Sequence, residues 1–169
     1  LKPEEIKLGL KKIHKKNIPN IFLTPRGKLF NQQKALELSK NEGLNLLCGH
    51  YEGIDERVIQ FHQFEEICIG DFVLSGGESA SITFLDSVIR LLPGILGGSN
   101  SLQEESFSDL PLLEYPQYTK PKIWNNIEVP KVLLSGNHKE VINWRKNKRL
   151  EDTKERRPDL WKKFTQNKE

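Results

Sequence analysis

In the first half of the chain, short apolar runs alternate with stretches in which apolar positions recur every three or four residues. Pro3 with Glu4 and Glu5 reads as a helix start, with Ile6, Leu10 and Ile13 on one face and lysines opposite, ending before Pro19. Ile21–Leu23 is a strand candidate, and Thr24-Pro25-Arg26-Gly27 is a loop directly after it. A polar start at Asn31 opens a second helix through Leu38, stopped near Gly43; Leu44–Cys48 is the next strand, and Gly49–Gly53 its loop. Asp55 caps a third helix carrying Val58 and Ile59, and Ile67–Ile69 forms a third strand. From Glu78 to Leu92, apolar Ile82, Leu85, Ile89 and Leu92 predict a fourth helix, ended by Pro93-Gly94.

Strand, loop and helix thus repeat three times. Strands separated by helices pair in parallel through right-handed crossovers, so their C-terminal ends share one edge. The loops starting at Thr24, Gly49 and Gly70 are expected to emerge together there, where an open α/β sheet binds its ligand.

The rhythm stops at Ile95–Pro111, rich in Gly, Ser, Asn and acids, which reads as a linker. Pro116, Pro121 and Pro130 then punctuate an irregular stretch before a basic helix over Lys139–Arg149 that contains Trp144. A short last helix has Pro158 near its start and Leu160, Trp161 and Phe164 on one face. The expected organisation is an α/β ligand-binding domain over 1–96, a linker over 97–112 and a small helical C-terminal domain over 113–169.

Composition narrows the class. A chain of 169 residues with 36% hydrophobic content can bury one core with a small appendage. No apolar run reaches the roughly 18 residues that span a bilayer, and no leader pattern opens the chain, so a cytosolic setting is expected. Methionine is absent even at the first position, which predicts a fragment of a longer protein. Cys48 and Cys68 sit in apolar runs without zinc-like spacing to His14, His50, His62 or His138, so both are expected to be buried free thiols and no metal ligands are assigned.

The net charge of +3 hides an uneven distribution. Between Tyr51 and Thr119 there are twelve acids and two bases, Arg57 and Arg90; Leu1–Asn20 holds six lysines against two acids, and Lys139–Glu169 eleven bases against six acids. Solvated helix faces account for such runs, and so does a polyanionic partner such as RNA.

Ile69-Gly70-Asp71-Phe72-Val73-Leu74-Ser75-Gly76-Gly77, followed by Glu78, is the segment richest in chemical information. Its glycines permit tight bends and close approach of backbone to a ligand, beside apolar Phe72 and Leu74. There is no Gly-x-Gly-x-x-Gly after a strand, no phosphate loop and no Gly-x-Ser-x-Gly, which excludes an ordinary dinucleotide turn, a P-loop NTPase and a serine hydrolase elbow. What remains is a pocket of glycine backbone, a few carboxylates and isolated arginines, suited to a ligand such as an adenosine moiety held by main-chain groups.

Taken in order, Thr24–Gly27, Gly49–Arg57, Ile69–Glu78, Asp86-Ser87-Val88-Ile89-Arg90, Pro93-Gly94 and Leu134-Ser135-Gly136-Asn137-His138 span almost the whole chain. Together they resemble the bacterial tRNA (guanine-N1) methyltransferases. The resemblance implies a trefoil-knotted SPOUT-type α/β fold, a homodimer with a composite active site, and methylation of the guanine immediately after the anticodon of tRNA using S-adenosyl-L-methionine. It also implies magnesium.

Carried over by position, the resemblance sets the methyl donor against Leu23, Thr24 and Pro25, against Gly49, His50, Tyr51 and Glu52, and against Ile69, Gly70, Asp71, Phe72, Val73 and Leu74 with Gly76 and Gly77. Methylation at N1 requires the guanine proton to leave, and the developing charge is shared with O6. A carboxylate accepts the proton and a guanidinium stabilises the oxygen; the resemblance assigns these roles to Glu105 and Arg90. Relatives usually carry aspartate where Glu105 stands and arginine where His50 stands. They also have an N-terminal segment of strands with a glycine-rich loop, and this chain begins just after the corresponding point, so weak or no catalysis is expected of it alone.

The basic helix with Trp144, Arg145, Lys146, Lys148 and Arg149 offers phosphate contacts and a stacking surface, and the resemblance makes this domain the one that grips tRNA. Two alternatives stay open: a ribose 2′-O-methyltransferase of the same fold, because a glycine-rich pocket does not distinguish base from ribose, and a non-catalytic RNA-binding module.

Overall fold

The computed structural model describes residues 2–13, 18–49, 53–95, 105–108 and 110–166. The chain divides into two compact units, Leu1–Gly97 and Gly98–Glu169.

The first unit is a three-layer α/β arrangement around a parallel sheet. Its strands are β1 (Asn20–Leu29), β2 (Asn45–Leu47) and β3 (Glu65–Cys68), in the order β2-β1-β3. Both pairings of β1 are parallel, with Ile21 opposite Leu46 on one side and Glu65 on the other. Side chains alternate across a strand, so Ile21 and Leu23 face one layer and Phe22 the other. Ile21 and Leu23 pack with Ile67 against α2 (Gln32–Leu38) and α4 (Gly77–Ile89), through Ala35, Leu38, Ala80, Phe84 and Val88. Phe22 packs against α1 (Pro3–Ile13) and α3 (Glu56–Phe61), through Ile6, Leu10, Val58 and Ile59, with Phe64 beside them.

The helices begin where local chemistry directs. Asn31 caps α2 by accepting the Lys34 N–H, and Asp55 caps α3 by accepting that of Arg57 at 3.0 Å. Glu4 and Glu5 occupy the first turn of α1 and Lys11 and Lys12 the last, which suits the helix dipole. Lys34 of α2 reaches Glu65 of β3 at 2.8 Å; burial opposes its charge, but hydrogen bonds to Glu37 and Glu65 outweigh that and raise its pKa.

Three expectations need correction. Thr24–Gly27 is not a terminal loop: β1 resumes after it, and both Leu23 and Lys28 pair with Ile67, so these four residues are an excursion within one strand. The glycine makes the return possible, since a Cβ on Gly27 would collide with the backbone of Glu66 and Ile67. β3 starts at Glu65, two residues before the expected strand, because Glu65 and Glu66 pair with Ile21 and Phe22 despite their charge. In α4 the buried stripe is Ala80, Ser81, Phe84 and Val88; Ile82 is 70% exposed and Ile89 44%, so these two point away from the core while half-buried Leu85 packs against it. Small Ala80 and Ser81 let α4 approach the sheet closely, which the bulkier stripe would prevent.

Cys68 is buried and Cys48 half-buried, and both are free thiols. The side chain of Ile13 lies outside the described residues.

The second unit is built on α6 (His138–Arg156), with α5 (Lys131–Leu134) before it and α7 (Pro158–Gln166) after it. Asn137 caps α6, and its amide also donates to Glu140 at 2.9 Å. The helix runs seven residues past the expected end, into a charged stretch without apolar rhythm. Buried Thr153 explains this: its hydroxyl donates to the Arg149 carbonyl and accepts the Leu113 N–H at 2.9 Å, tying the late turns of α6 to the segment before it. On α7, Leu160 and Phe164 are buried and Trp161 is half-buried.

The proline-punctuated stretch holds a hairpin that the pattern did not reveal. Its strands β4 (Ile123–Trp124) and β5 (Ile127–Glu128) are antiparallel, joined through Asn125 and Asn126 at φ 49° and 63°. A two-residue turn with positive φ at both positions matches the twist of a hairpin, and asparagine tolerates that region.

Gly27→Ala is expected to lower unfolding stability by about 1–3 kcal/mol, the usual penalty for forcing atoms into packed space. Gly9→Ala, in α1 with open space around it, is expected to raise stability by up to about 1 kcal/mol. Denaturant midpoints of the two variants compared with the parent chain check both directions.

Candidate active site

The C-terminal ends of β2 and β3 and the mid-strand excursion of β1 converge on one cavity of about 450 Å³ in the first unit. Each contributes through a distinct local device.

After Leu23, Thr24 and Pro25 form the outward limb of the β1 excursion, and the Thr24 hydroxyl accepts the Arg26 N–H at 3.4 Å to tighten it. After β2, Gly49 lies against Phe22, with its carbonyl accepting the Gly77 N–H at 2.9 Å. This bond brings the start of α4 onto the end of β2. A Cβ on Gly77 would sit 2.9 Å from the Gly49 nitrogen and 3.0 Å from the Cys48 Cα, so no other residue keeps this approach. Ser81 completes the junction: its hydroxyl donates to the Gly77 carbonyl at 2.6 Å and lies 2.9 Å from the Cys48 sulfur.

The loop after β3 folds back on itself. The Phe72 N–H donates to the Gly70 carbonyl at 2.9 Å, and the Cys68 thiol donates to the same oxygen at 3.1 Å. The Phe72 ring lies over Gly70 so closely that a Cβ there would strike it.

Of the residues singled out in the sequence, Leu23, Thr24, Pro25, Gly49, Ile69, Gly70, Phe72, Val73, Leu74, Gly76 and Gly77 line this cavity. Asp71 stands exposed in the same loop and is not part of the lining. His50, Tyr51 and Glu52 lie outside the described residues. Arg90 is the half-buried C-cap of α4, its N–H bonded to the Asp86 carbonyl at 3.1 Å. Glu105 belongs to the second unit, half-buried in a turn where Phe107 has φ 67° and the Ser106 hydroxyl accepts the Glu114 N–H at 2.9 Å.

The pattern missed the polar rim. Arg26, Glu56 and Glu66 also line the cavity; Arg26 pairs with Glu56 at 3.1 Å and lies 3.9 Å from Glu66. Arg26 and Glu56 stood inside motifs already noted, and Glu66 was hidden by the late start given to β3. Exposed pairs of this kind add little stability, so their interest lies in joining the β1 excursion to α3 across the cavity mouth.

Asp55, at the start of α3, has its pKa lowered to about 2, first by the Arg57 guanidinium and then by the Arg57 backbone N–H. In the second unit Asp159 is likewise held at about 2, chiefly by the Arg157 guanidinium. Among the described residues, no group of three or more His, Cys, Asp or Glu side chains is arranged to hold a metal ion. No helix among the described residues is long and apolar enough to cross a membrane.

Residues 1–163 match the family model for tRNA (Guanine-1)-methyltransferase TrmD. The chain belongs to this family. A tRNA (guanine-N(1)-)-methyltransferase of Clostridium beijerinckii is 58% identical over 149 residues, covering 88% of this chain and 62% of that protein. The Pelagibacter ubique protein of the same name is 53% identical over 146 residues, 86% of this chain and 64% of its own length. That of Carboxydothermus hydrogenoformans is 53% identical over 162 residues, covering 96% of this chain and 64% of the relative. The chain therefore spans a little over three-fifths of the length of the curated TrmD-family relatives it matches.

A carboxylate whose folded pKa is depressed stabilises the fold fully above its unfolded value and loses that contribution as pH falls through the folded one. For Asp55 and Asp159 this window runs from about pH 4 down to about 2. Thermal melts across this window should fall more steeply for the parent chain than for Asp55→Asn with Asp159→Asn, because asparagine can retain a cap but does not titrate.

Proposed function

We propose that this chain carries the donor-binding and tRNA-binding parts of an enzyme that transfers a methyl group from S-adenosyl-L-methionine to N1 of the guanine immediately after the anticodon. The observation that carries this reading is the convergence of three separate loops on one cavity, in a chain of the TrmD family.

The residues present fit a nucleoside-sized donor. The cavity volume of about 450 Å³ falls within the range of small-molecule sites, about 300–1,000 Å³. Gly49, Gly70, Gly76 and Gly77 stand in the lining without side chains, which leaves main-chain groups available to a ligand there. Leu23–Pro25, Gly49, Ile69, Gly70, Phe72–Leu74, Gly76 and Gly77 would hold it, and Asp71, His50, Tyr51 and Glu52 join them by resemblance. When bound, the donor supplies an electrophilic methyl group on a sulfonium centre.

The chain's own contribution is to manage the guanine proton and charge. The Glu105 carboxylate accepts the N1 proton as the nitrogen forms its new bond, and the Arg90 guanidinium stabilises the charge that spreads to O6. Magnesium rests on the resemblance alone.

Arg90 belongs to the first unit and Glu105 to the second, and a homodimer would combine them from different copies. Exposed Ile82 and Ile89 on α4 support such pairing, since burying them would remove apolar surface from water. With tRNA as the partner, the setting is cytoplasmic.

The test is single-turnover methylation of unmodified tRNA with labelled donor by this chain joined to the N-terminal segment that the resemblance implies, alongside calorimetry with S-adenosylhomocysteine. Arg90→Ala should slow methyl transfer about 100- to 1,000-fold with donor affinity changed less than about threefold. Glu105→Gln should slow it at least about 100-fold and remove the acid limb of the pH–rate profile. Label on ribose or on another base, or a folded sample that does not bind S-adenosylhomocysteine, would overturn the reading.

A further inference from the structure

The second unit contains a groove of about 840 Å³, separate from the residues proposed for methyl transfer. It is lined by aromatic Tyr115, Tyr118 and Trp144 and by cationic Lys120, Lys122 and Arg145; its other lining positions are Pro, Gln, Thr, Val and Leu. Among the described residues of the lining there are three cations and no carboxylate.

The aromatic side chains are positioned by contacts with their neighbours. Buried Tyr115 supports Arg145, whose guanidinium carbon lies 4.6 Å from the ring centroid. Tyr118 meets Trp144 with ring centroids 6.2 Å apart and planes inclined by 58°, a tilted contact rather than a closed stack. Tyr118 remains 45% exposed. Trp144 and Arg145 are neighbours on α6, while the other four belong to the segment leading into the β4–β5 hairpin, so the groove is assembled from two elements.

We infer that this groove takes an unpaired nucleobase of single-stranded RNA, stacked on Trp144 with Tyr118 against its edge, and with Lys120 and Lys122 meeting the adjoining phosphates. The inference rests on the reading of tRNA as the partner and adds where, and by what chemistry, a non-reacting part of it is held. A base offers a π-face to an aromatic side chain whatever its identity, and alanine substitution of such a stacking residue commonly costs about 1–3 kcal/mol per base. Bases paired within a helix have no free face, which selects a loop over a stem. Lys120 and Lys122 in the lining favour a polyanion over an apolar peptide segment, which the Leu and Val positions alone would accept.

The experiment compares three fluorescently labelled ligands by anisotropy: a single-stranded RNA of about eight nucleotides, an oligomer of the same length with the bases removed, and a blunt RNA duplex. The chain should bind the single strand about tenfold tighter than the abasic oligomer and the duplex. Trp144→Ala should weaken single-strand binding about tenfold, leave abasic binding unchanged and so erase the preference, while Trp144→Phe should retain it within about threefold. Lys120→Gln with Lys122→Gln should reduce the salt dependence for both oligomers by about two phosphates' worth. Equal affinity for native and abasic strands overturns the inference, as does a Trp144→Ala effect shared by both or seen in neither, provided circular dichroism shows the variant folded. Self-association lost in Trp144→Ala, without RNA discrimination, would make the groove a contact between copies and overturn it too. S-adenosylhomocysteine binding, measured in the same samples, separates the two readings: its absence counts against the methyltransferase proposal and leaves the stacking result standing.

Discussion

Residue Ile67 of β3 is paired by β1 twice, once through Leu23 and again through Lys28. Between those pairings the chain leaves the sheet for four residues and returns against the Glu66–Ile67 backbone, where only glycine fits. The sheet and the cavity depend on this one departure. Without the return, Leu29 and Phe30 would lack their pairing with Cys68, and Phe30 would not meet Phe84 in the core at 4.9 Å. Without the outward limb, the cavity would lose the wall made by Thr24, Pro25 and Arg26. Core packing and ligand space are therefore set by the same backbone conflict, resolved at Gly27.

The rest of the cavity repeats that solution with different partners. At Gly77 the obstruction is the end of β2, and at Gly70 it is the ring of Phe72. Glycine here brings backbone against backbone or ring, and the empty volume lies beside those contacts. Arg26, Glu56 and Glu66 are the charged members of the lining among the described residues.

The helices other than α5 and the existence of the three strands of the parallel sheet were legible because capping residues and apolar spacing act locally: Asn31, Asp55 and Pro158 each mark a helix start without help from distant parts of the chain. What escaped the pattern is set by tertiary partners. Lys28 and Leu29 are too short a run to read as strand, and become one only because Ile67 and Cys68 lie alongside. Glu65 and Glu66 look like loop residues until strand pairing and Lys34 accommodate them. In α4, hydrophobicity favoured Ile82 and Ile89, whereas close packing selected the smaller Ala80 and Ser81. The glycine loops and their shared edge were readable from the alternation of elements; the Arg26–Glu56 contact was not, because it joins segments thirty positions apart.

One small polar feature bears on how the chain avoids a wrong sheet. Asn20 and Asn45 stand opposite each other across β1 and β2, the Asn45 amide donating to Asn20 at 2.8 Å while the Asn20 amide donates to the His62 carbonyl at 2.8 Å. β2 is only three residues long, so hydrophobic matching alone would discriminate weakly between neighbouring alignments. Sliding it by one position would turn Leu46 to the opposite layer and strand the nearly buried Asn45 amide among apolar groups. The two asparagines thus act as a checksum on alignment: they add little attraction to the correct sheet and impose a penalty on the incorrect ones.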